Sequence, residues 1–352
     1  MAVSDIKKIQ KSKSPSELRM DLVSNDWVVI ATGRSRRPES FSKNHKNKNK
    51  EPVSKKDCPF CQKEELGTAI FRNYRQDGSW IALSIPNKYP AFAPSLFLKD
   101  KESSYKEILN EKKVGPNRVM DGYGFHEVII TYDHVKPMAL FSEEDVEGVI
   151  DVYKNRYLAL MNQKFIKYVS IFHNHGREAG ASVAHPHSQL IAIPIIDPGL
   201  RKSIYGAEAF YVSHGECVYC TMLKWEMEDG QRIIYENDEF VVLCPFAPQV
   251  SFEVRVYPKK HQPYFENIVG REKKLFADAL KTALYKIYKA LKNPSYNYYI
   301  HTSPCDGANY DFYHWHVNIL PKTSVWAGFE LSTGIEISTI EPERAAEFLR
   351  KF

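Results

Sequence analysis

Long apolar runs are missing from this sequence. No stretch of the 352 residues approaches the roughly 20 consecutive apolar residues that a membrane-spanning helix needs. Residues 1–15 are polar and basic and lack the apolar centre of a secretory signal peptide. From these two absences we expect a cytoplasmic protein that has no membrane partner.

A strong charge imbalance is also missing, because the formal net charge is only +5. Much of this excess lies in residues 40–56, which contain six lysines among Asn, Ser and Pro. We interpret this segment as a solvated loop, with a loop that faces phosphate or nucleic acid as the alternative. A nucleic-acid surface would need further clusters of basic and aromatic residues, so we predict no nucleic-acid partner.

Cysteine is scarce, with six residues in the whole chain. Four of them form two C-x-x-C pairs, which are Cys58 with Cys61 and Cys217 with Cys220. In a long chain that we expect in the cytoplasm, this spacing indicates metal binding rather than a disulfide framework. Cys244 and Cys305 lie in or beside apolar segments, so we predict small buried side chains there.

The order of motifs occurs twice along the chain. In each half a C-x-x-C pair precedes a strand-like segment that leads to a histidine, and an H-x-H motif follows. His134 lies 51 positions before His185, and His261 lies 53 positions before His314. This repetition indicates duplication of one unit, so we divide the chain into an N-terminal half, residues 1–205, and a C-terminal half, residues 206–352.

One long helix is predicted between the matching motifs of each half. Ser142 has the character of a helix cap, and apolar residues follow it at helical spacing. The second helix has the same spacing from Leu275 to Leu291. Short apolar strands surround both helices. We therefore predict an α+β fold with a mainly antiparallel sheet and helices packed on one face.

Each half supplies two thiols and at least two imidazoles, a donor set typical of tetrahedral zinc. One H-x-H histidine completes the first set, so we assign His185 to the metal and leave His187 for substrate. The predicted ligands are Cys58, Cys61, His134 and His185 in the first half, and Cys217, Cys220, His261 and His314 in the second.

The segment from His185 to Gln189 has polar side chains at every second position. On a strand His185, His187 and Gln189 would share one face, and a neutral imidazole there suits nucleophilic work. Two half-exposed histidines at a strand end are the alternative. Before this segment, residues 173–182 are small and polar, which suits an anion beside His187, although an ordinary glycine-containing turn has the same composition.

These residues resemble the active-site region of galactose-1-phosphate uridylyltransferases, which are members of the histidine-triad superfamily. The resemblance rests on three stretches, residues 171–176, 180–182 and 185–189. Residues 18–38 and 327–330 are similar to the terminal signatures of the family, so the resemblance covers nearly the whole chain from about residue 16. It implies a histidine-triad-like fold for the two duplicated halves.

The resemblance implies a ping-pong nucleotidyl transfer between a nucleoside diphosphate hexose and a hexose 1-phosphate. His187 would attack the α-phosphorus, and Gln189 and Ser182 would donate hydrogen bonds to the phosphate oxygens. The first zinc would be structural, because four protein ligands leave no open position. The family also implies a homodimer.

Further substrate contacts follow from the same resemblance. Arg34 and Arg37 would lie near the phosphates, with exposed surface arginines as the alternative. Glu330 would bind hexose hydroxyls, and Asn87 begins the stretch that would meet the base. The remaining predicted substrate residues are Asn174 and Gly180.

The base is less clearly indicated, because uridylyltransferases carry an Asn-Asp pair where this chain has Asn87-Lys88-Tyr89-Pro90. A similar run occurs in relatives of the ADP-glucose phosphorylase type, which transfer adenylyl groups. We favour uridylyl transfer from UDP-glucose to galactose 1-phosphate, with adenylyl transfer as the alternative. In a different class, the alternative is a non-enzymatic zinc-dependent protein that binds nucleic acid.

Overall fold

The fold is described from a computed structural model that covers residues 16–31, 41, 54–62, 67–94 and 111–352. Within these residues the chain forms fifteen strands and six α-helices. The strands are β1 (Glu17–Met20), β2 (Trp27–Ile30), β3 (Phe71–Tyr74), β4 (Trp80–Pro86), β5 (Lys112–Val114), β6 (Asn117–Val119), β7 (Phe125–Thr131), β8 (Tyr168–His175), β9 (His187–Ile193), β10 (Ile233–Glu236), β11 (Phe240–Leu243), β12 (Val254–Pro258), β13 (Tyr296–His301), β14 (His316–Pro321) and β15 (Glu336–Ser338). The helices are α1 (Glu143–Met161), α2 (Pro198–His214), α3 (Val218–Asp229), α4 (Gly270–Leu291), α5 (Gly328–Thr333) and α6 (Pro342–Arg350).

Ten of the strands form one sheet in the order β10-β11-β12-β14-β13-β8-β9-β7-β4-β3. Every neighbouring pair in it is antiparallel. Each predicted half contributes five consecutive positions, and the two halves meet where β8 pairs with β13. The predicted α+β class with a mainly antiparallel sheet and two similar halves is therefore confirmed. A smaller sheet has the order β1-β2-β15.

The two long helices, α1 and α4, contact each other and cover one face of the large sheet. Helix α1 is capped by Ser142, whose Oγ accepts the backbone N–H of Asp145 at 3.1 Å, as the capping prediction requires. Its buried side chains recur at helical spacing and include Val146, Val149, Ile150, Tyr153 and Tyr157. This face holds the main hydrophobic core, to which both halves contribute.

The opposite face is only partly covered by helices. Because side chains alternate along a strand, Phe240 and Val242 of β11 enter the core under the long helices, whereas Val241 and Leu243 point to the other face. There they pack with residues of α2 and α3. Helices α1, α4 and α6 thus lie on one face of the sheet, as predicted, whereas α2 and α3 lie on the other face.

The division at residues 205 and 206 falls within α2, which is continuous from Pro198 to His214. The domain boundary therefore stays a prediction. Cys244 is buried and Cys305 half-buried, and both sulfurs are free thiols. Across the residues described, none of the helices combines the length and the apolar character that crossing a membrane requires.

Candidate active site and metal centres

Strand β9 presents His187 and Gln189 on the sheet face that lies opposite the long helices. Its alternate residues Leu190 and Ala192 enter the main core, so the odd-numbered positions point the other way. His187 is buried, and Gln189 is partly accessible. Because the alternate apolar side chains of β9 are buried under the long helices, His187 and Gln189 must point to the opposite face of the sheet.

The first cluster brings together the donors of Cys58, Cys61, His134 and His185, all within 4.8 Å of one another. Cys61 Sγ lies 3.3 Å from Nδ1 of His134 and 3.5 Å from Nδ1 of His185. The two Nδ1 atoms are 3.2 Å apart. Tetrahedral zinc with its usual ligand bonds needs donors about 3.3–3.8 Å apart, so both the geometry and the donor types fit this metal.

The histidine His185 is oriented for metal binding by its other nitrogen. Its Nε2 lies 2.7 Å from the backbone oxygen of Thr131, which only accepts, so Nε2 carries the proton and Nδ1 offers a lone pair to the cluster. Burial lowers the pKa of His185 to about 4, which favours this neutral form. Four protein donors leave no open position, so a zinc ion held here would have a structural role.

The second cluster repeats this geometry with Cys217, Cys220, His261 and His314, whose donors also lie within 4.8 Å of one another. Cys220 Sγ is 3.3 Å from Nδ1 of His261. Nε2 of His314 lies 3.0 Å from the backbone oxygen of Pro258, three positions before His261, just as Thr131 is three positions before His134. The hydrogen bond with Cys220 is the main cause that lowers the pKa of Cys217 to about 3, which favours a thiolate ligand.

The H-x-H histidine of the first half that stays outside the Cys/His cluster is His187. Its Nδ1 lies 2.8 Å from the backbone oxygen of His185, so Nδ1 must donate and the unprotonated lone pair is on Nε2. Burial lowers the pKa of His187, although the hydrogen bond to His185 acts in the opposite direction. A neutral imidazole in this tautomer can act as a nucleophile.

The ring of Phe60 packs against His187 with the ring centroids 4.9 Å apart and the planes nearly perpendicular. Phe60 lies between Cys58 and Cys61 in a short 3-10 helix, so the first cluster fixes its position. Sequence reasoning treated the residues between the cysteines only as a spacer. The first cluster therefore contacts His187 from two sides, through Phe60 and through the His185 carbonyl.

The predicted phosphate-facing residues occupy the end of β8 and the turn that follows it. The β8–β9 ladder pairs His173 with Ser188, so the next step places Asn174 opposite His187 on the same face. Gly180 has a left-handed backbone at φ 89°, which favours glycine. Ser182 is exposed in the segment that leads to β9. Asn174 is thus beside His187, whereas Ser182 lies on the exposed surface.

Asn87 immediately follows β4 and contacts a histidine that sequence reasoning did not assign. Its Nδ2 lies 3.0 Å from Nε2 of His126, and that same nitrogen lies 2.8 Å from Oε1 of Gln189. His126 of β7 pairs with Ile191 of β9, so His126 is a diagonal neighbour of Gln189 on the same face. The sequence held a usable signal, since His126 is a polar residue on the strand face that also carries the apolar Val128 and Ile130.

Two further predictions depend on other parts of the chain. Glu330 is half-buried in α5, where its carboxylate accepts the backbone N–H of Ala327 at 3.1 Å. That contact is a helix-capping one, so the role in hexose binding stays a prediction. Arg34 and Arg37 lie outside the described residues, as does most of the lysine-rich segment.

Comparison with known proteins gives the family. Residues 7–196 match the model of the galactose-1-phosphate uridyl transferase N-terminal domain, and residues 123–350 match a domain of unknown function. ADP-glucose phosphorylase of Arabidopsis thaliana is 34% identical over 349 residues, which are 97% of this chain and 94% of the relative. The chain belongs to the galactose-1-phosphate uridylyltransferase family. It is therefore an enzyme of a nucleotidyltransferase family.

Other members of this family agree with that assignment. Galactose-1-phosphate uridylyltransferase of Thermotoga maritima is 29% identical and covers 95% of this chain and 98% of its own length. A crystal structure of Arabidopsis thaliana ADP-glucose phosphorylase with bound ADP-glucose superposes with a TM-score of 0.78 at 30% identity, covering 96% of this chain and 99% of that one. A uridylyltransferase structure at 21% identity shares the fold with a TM-score of 0.71, over 95% and 97% of the two chains.

The second half of this family member contains a counterpart of His187. His316 follows His314 as His187 follows His185, and its Nδ1 lies 3.1 Å from the His314 backbone oxygen. Aromatic rings surround it, however, with the rings of Tyr257 and Tyr219 centred 4.9 and 5.3 Å away. The β7–β9 ladder pairs the aliphatic Ile130 with His187, and one step beyond the Val256–Val317 pair places Tyr257 opposite His316. Tyr257 and Ile130 each lie four positions before a predicted metal ligand, His261 and His134. The second half therefore has an aromatic ring where the first half has an aliphatic side chain.

Proposed function

We propose that this protein transfers a nucleotidyl group through a covalent intermediate on Nε2 of His187. The donor is a nucleoside diphosphate hexose, and the acceptor carries a phosphate. The observation that carries the proposal is the hydrogen bond from Nδ1 of His187 to the His185 carbonyl, because it leaves the Nε2 lone pair available between Gln189 and Asn174.

The exchange takes two displacements at the α-phosphorus. In the first, Nε2 of His187 forms a bond to phosphorus, and the bond to the oxygen that bridges the two phosphates breaks. Hexose 1-phosphate leaves with that oxygen. In the second, a phosphate oxygen of the acceptor attacks the same phosphorus, the phosphorus–nitrogen bond breaks and the imidazole is regenerated. Throughout, Nδ1 keeps its proton, and the His185 carbonyl stabilises the positive ring of the intermediate.

Other residues have supporting roles in this proposal. Gln189, Asn174 and Ser182 donate hydrogen bonds to phosphate oxygens, on which negative charge develops. Arg34 and Arg37 add charge near the phosphates, and Glu330 binds the hexose. Zinc in the first cluster, when bound, holds His185 and Phe60 in position and takes no part in bond making. We also propose a homodimer, which sedimentation velocity tests directly.

For the base we propose adenine, with uracil as the second candidate. The identity of 34% to an ADP-glucose phosphorylase over nearly the full length supports adenylyl transfer. The Asn87-Lys88-Tyr89-Pro90 run supports it too, because it resembles that branch. The identity of 29% to a uridylyltransferase keeps the UDP-glucose reaction as the second candidate.

Incubation with ADP-glucose or UDP-glucose that is labelled at the α-phosphorus tests both parts of the proposal. We expect acid-labile label on the wild-type protein, no label on His187→Gly, and normal label on the matched second-half variant His316→Gln once circular dichroism shows it folded. Faster labelling by ADP-glucose supports adenylyl transfer. Chasing the labelled protein with inorganic phosphate or galactose 1-phosphate identifies the acceptor. Label from neither donor, or label that persists in His187→Gly, overturns the mechanism.

A further inference from the structure

The two amide side chains beside His187 can serve a phosphate in only one orientation. Phosphate oxygens accept hydrogen bonds, so Gln189 and Asn174 must present their NH₂ groups and keep their carbonyl oxygens turned away. The two ends of an amide are nearly the same in shape, so packing alone does not choose between them. Hydrogen bonds that begin at the backbone, where donor and acceptor are fixed, can make this choice.

Such a chain of hydrogen bonds reaches Gln189 through His126. The backbone N–H of Ala91 donates to Nδ1 of His126 at 3.1 Å, so Nδ1 is an acceptor and the proton of the neutral ring is on Nε2. Nε2 lies 2.8 Å from Gln189 and must donate, which identifies the facing atom as Oε1. The Nε2 amide group of Gln189 has no hydrogen-bond partner among the described residues and remains available to substrate.

The neighbouring amide of Asn87 does not change this assignment. Its Nδ2 lies 3.0 Å from Nε2 of His126, and its Oδ1 accepts the backbone N–H of Tyr89 at 2.9 Å. If Nε2 of His126 accepted from Asn87, Nδ1 would carry the proton and would oppose the N–H of Ala91. When Nε2 of His126 donates, the Asn87 amide rotates its NH₂ group away and gives up its contact with the N–H of Tyr89, which is exposed, so water can take its place. The backbone N–H of Ala91 has no such rotation, so the Ala91 contact sets the tautomer.

A second chain of hydrogen bonds reaches Asn174 through Asn297 of the other half. Nδ2 of Asn297 lies 2.8 Å from the backbone oxygen of Ala179, which only accepts, so this atom is a donor. The same Nδ2 lies 2.7 Å from Asn174 and therefore faces its Oδ1. The Nδ2 group of Asn174 is then directed to the turn at Gly180, where a Cβ would lie 3.9 Å from it.

The strand registers bring both chains to the same surface. Asn297 pairs directly with Asn174 across β13 and β8, and Asn174 lies opposite His187 by the next step of the β8–β9 ladder. His126 approaches from β7 on the other side of β9. The nucleophile thus has a tethered amide on each side, one held by its own half and one by the second half.

We propose that His126 and Asn297 are positioning residues that hold the carbonyl oxygens of Gln189 and Asn174, so that both amides present N–H donors to the transferred phosphate. This inference rests on the proposed function and adds two residues that act through others. Without the hydrogen bond from His126 or Asn297, the amide that it holds can turn its carbonyl oxygen to the phosphate. The amide oxygen and the phosphate oxygen are then two acceptors that repel each other. The effect belongs to the transition state, because charge on the phosphate oxygens grows there.

The test measures single-turnover formation of labelled protein by rapid quench, using the labelled donor that modifies the wild type. For His126→Leu we expect the maximal labelling rate to fall about 10- to 100-fold, below the loss for a missing oxyanion donor, with the donor concentration at half-maximal rate changed less than about threefold. His126→Gln restores a donor near the former Nε2 and should recover part of the rate. Thermal unfolding shows whether each variant is folded.

Double variants separate positioning from a general structural effect. His126 acts through Gln189, so His126→Leu combined with Gln189→Ala should be no slower than Gln189→Ala alone. In the same way Asn297→Leu, which has a similar size and removes the donor without adding charge, should add nothing to Asn174→Ala. The matched control is Tyr299→Phe, which removes the 3.3 Å hydrogen bond to the Asn318 amide in the second half and should leave labelling unchanged.

The outcomes distinguish this inference from the function on which it rests. A labelled wild type with unchanged rates in His126→Leu and Asn297→Leu, or with additive losses in the double variants, overturns the positioning roles and leaves the nucleotidyl transfer standing. A wild type that takes no label from either donor overturns both. Reduced rates with non-additive double variants and partial rescue by His126→Gln support the inference.

Discussion

At the scale of single residues, Gly206 of α2 contacts the backbone of the N-terminal segment. A Cβ at this position would lie 1.7 Å from the carbonyl oxygen of Val23 and 2.9 Å from its carbonyl carbon. Alanine normally favours a helix over glycine by about 1 kcal/mol, but here the backbone of Val23 would have to move. We predict that Gly206→Ala lowers the free energy of unfolding by about 1–3 kcal/mol, measured by urea denaturation.

The control for this prediction is Glu208→Ala, an exposed position of the same helix, which should change stability by less than about 0.5 kcal/mol. A Gly206→Ala protein as stable as the wild type would contradict the close approach. That result would mean that the segment before β2 can move away from α2 without lowering the free energy of unfolding.

A second residue, Glu266, makes stability depend on pH. Its carboxyl group is buried beside Tyr157, Cys305 and Lys154, and its Oε2 atom has no hydrogen-bond partner in the described structure. Burial raises the pKa of Glu266 from 4.5 to about 7. Below about pH 4.5 the carboxyl group is protonated in both the folded and the unfolded protein, and above about pH 7 it is ionised in both. Between these values it is ionised mainly in the unfolded protein, so Glu266 destabilises the fold increasingly as the pH rises.

We therefore predict that Glu266→Gln raises the free energy of unfolding at pH 8, by at most about 3 kcal/mol, and raises it much less at pH 5. Chemical denaturation of both proteins at the two pH values measures the difference. The exposed Glu347→Gln serves as the control and should show no such dependence. An equal effect of Glu266→Gln at both pH values would exclude burial of the charge as the cause.

At the scale of elements, the two Cys/His clusters connect different parts of the fold. The first cluster joins the segment of Cys58 to the ends of β7 and β9, beside His187. The second joins the start of α3 to the ends of β12 and β14. Since only the first cluster contains the neighbour of His187, loss of metal from the two sites should have different consequences.

We predict about two zinc ions per chain and about one in each of Cys58→Ser and Cys217→Ser, measured by elemental analysis. Cys58→Ser should lower the labelling rate of His187 by more than tenfold, because His185 and Phe60 lose their anchor. Cys217→Ser should lower the melting temperature and change that rate less than threefold. Equal effects of the two variants on labelling would show that the clusters do not differ in function.

How far sequence predicts structure also differs among elements. The strands of the large sheet and both long helices follow from apolar spacing, because that spacing depends on one core face. The four donors of each cluster follow from the duplicated order of motifs. Helices α2 and α3 were not predicted, and the apolar spacing of a helix indicates that one of its faces is buried but not which face of a sheet covers it.

The proposed roles of His126 and Asn297 could not be predicted from the sequence, although His126 stands out as a polar residue on an apolar strand face. Each depends on a strand register, and Asn297 comes from the half that carries no predicted nucleophile. Register follows from pairing between distant segments, so one sequence without its pairs does not give it. The Nε2 tautomer of His126 depends further on the backbone N–H of Ala91, which lies 35 positions away.

At the scale of the whole molecule, the two halves share one core. The main cluster of buried residues contains Ile150 of α1 and Ile287 of α4, together with strands from both halves. The sheet is continuous through the β8–β13 pair, and the hydroxyl groups of Tyr153 and Tyr298 lie 2.6 Å apart across the junction. A core that both halves complete should unfold as one unit, although the sequence reads as two repeats.

We predict a single unfolding transition for the metal-loaded protein, with coincident midpoints by circular dichroism and tryptophan fluorescence. Ile150→Ala in the first half and Ile287→Ala in the second should each lower the stability by about 2–5 kcal/mol and shift both signals together. Leu158→Ala, at a partly exposed position of α1, should have a much smaller effect. Two separated transitions, each shifted by only one of the buried variants, would instead support independent domains divided near residue 205. Because Asn297 of the second half holds Asn174 of the first, a protein that unfolds as one unit also keeps the two sides of the active site in register.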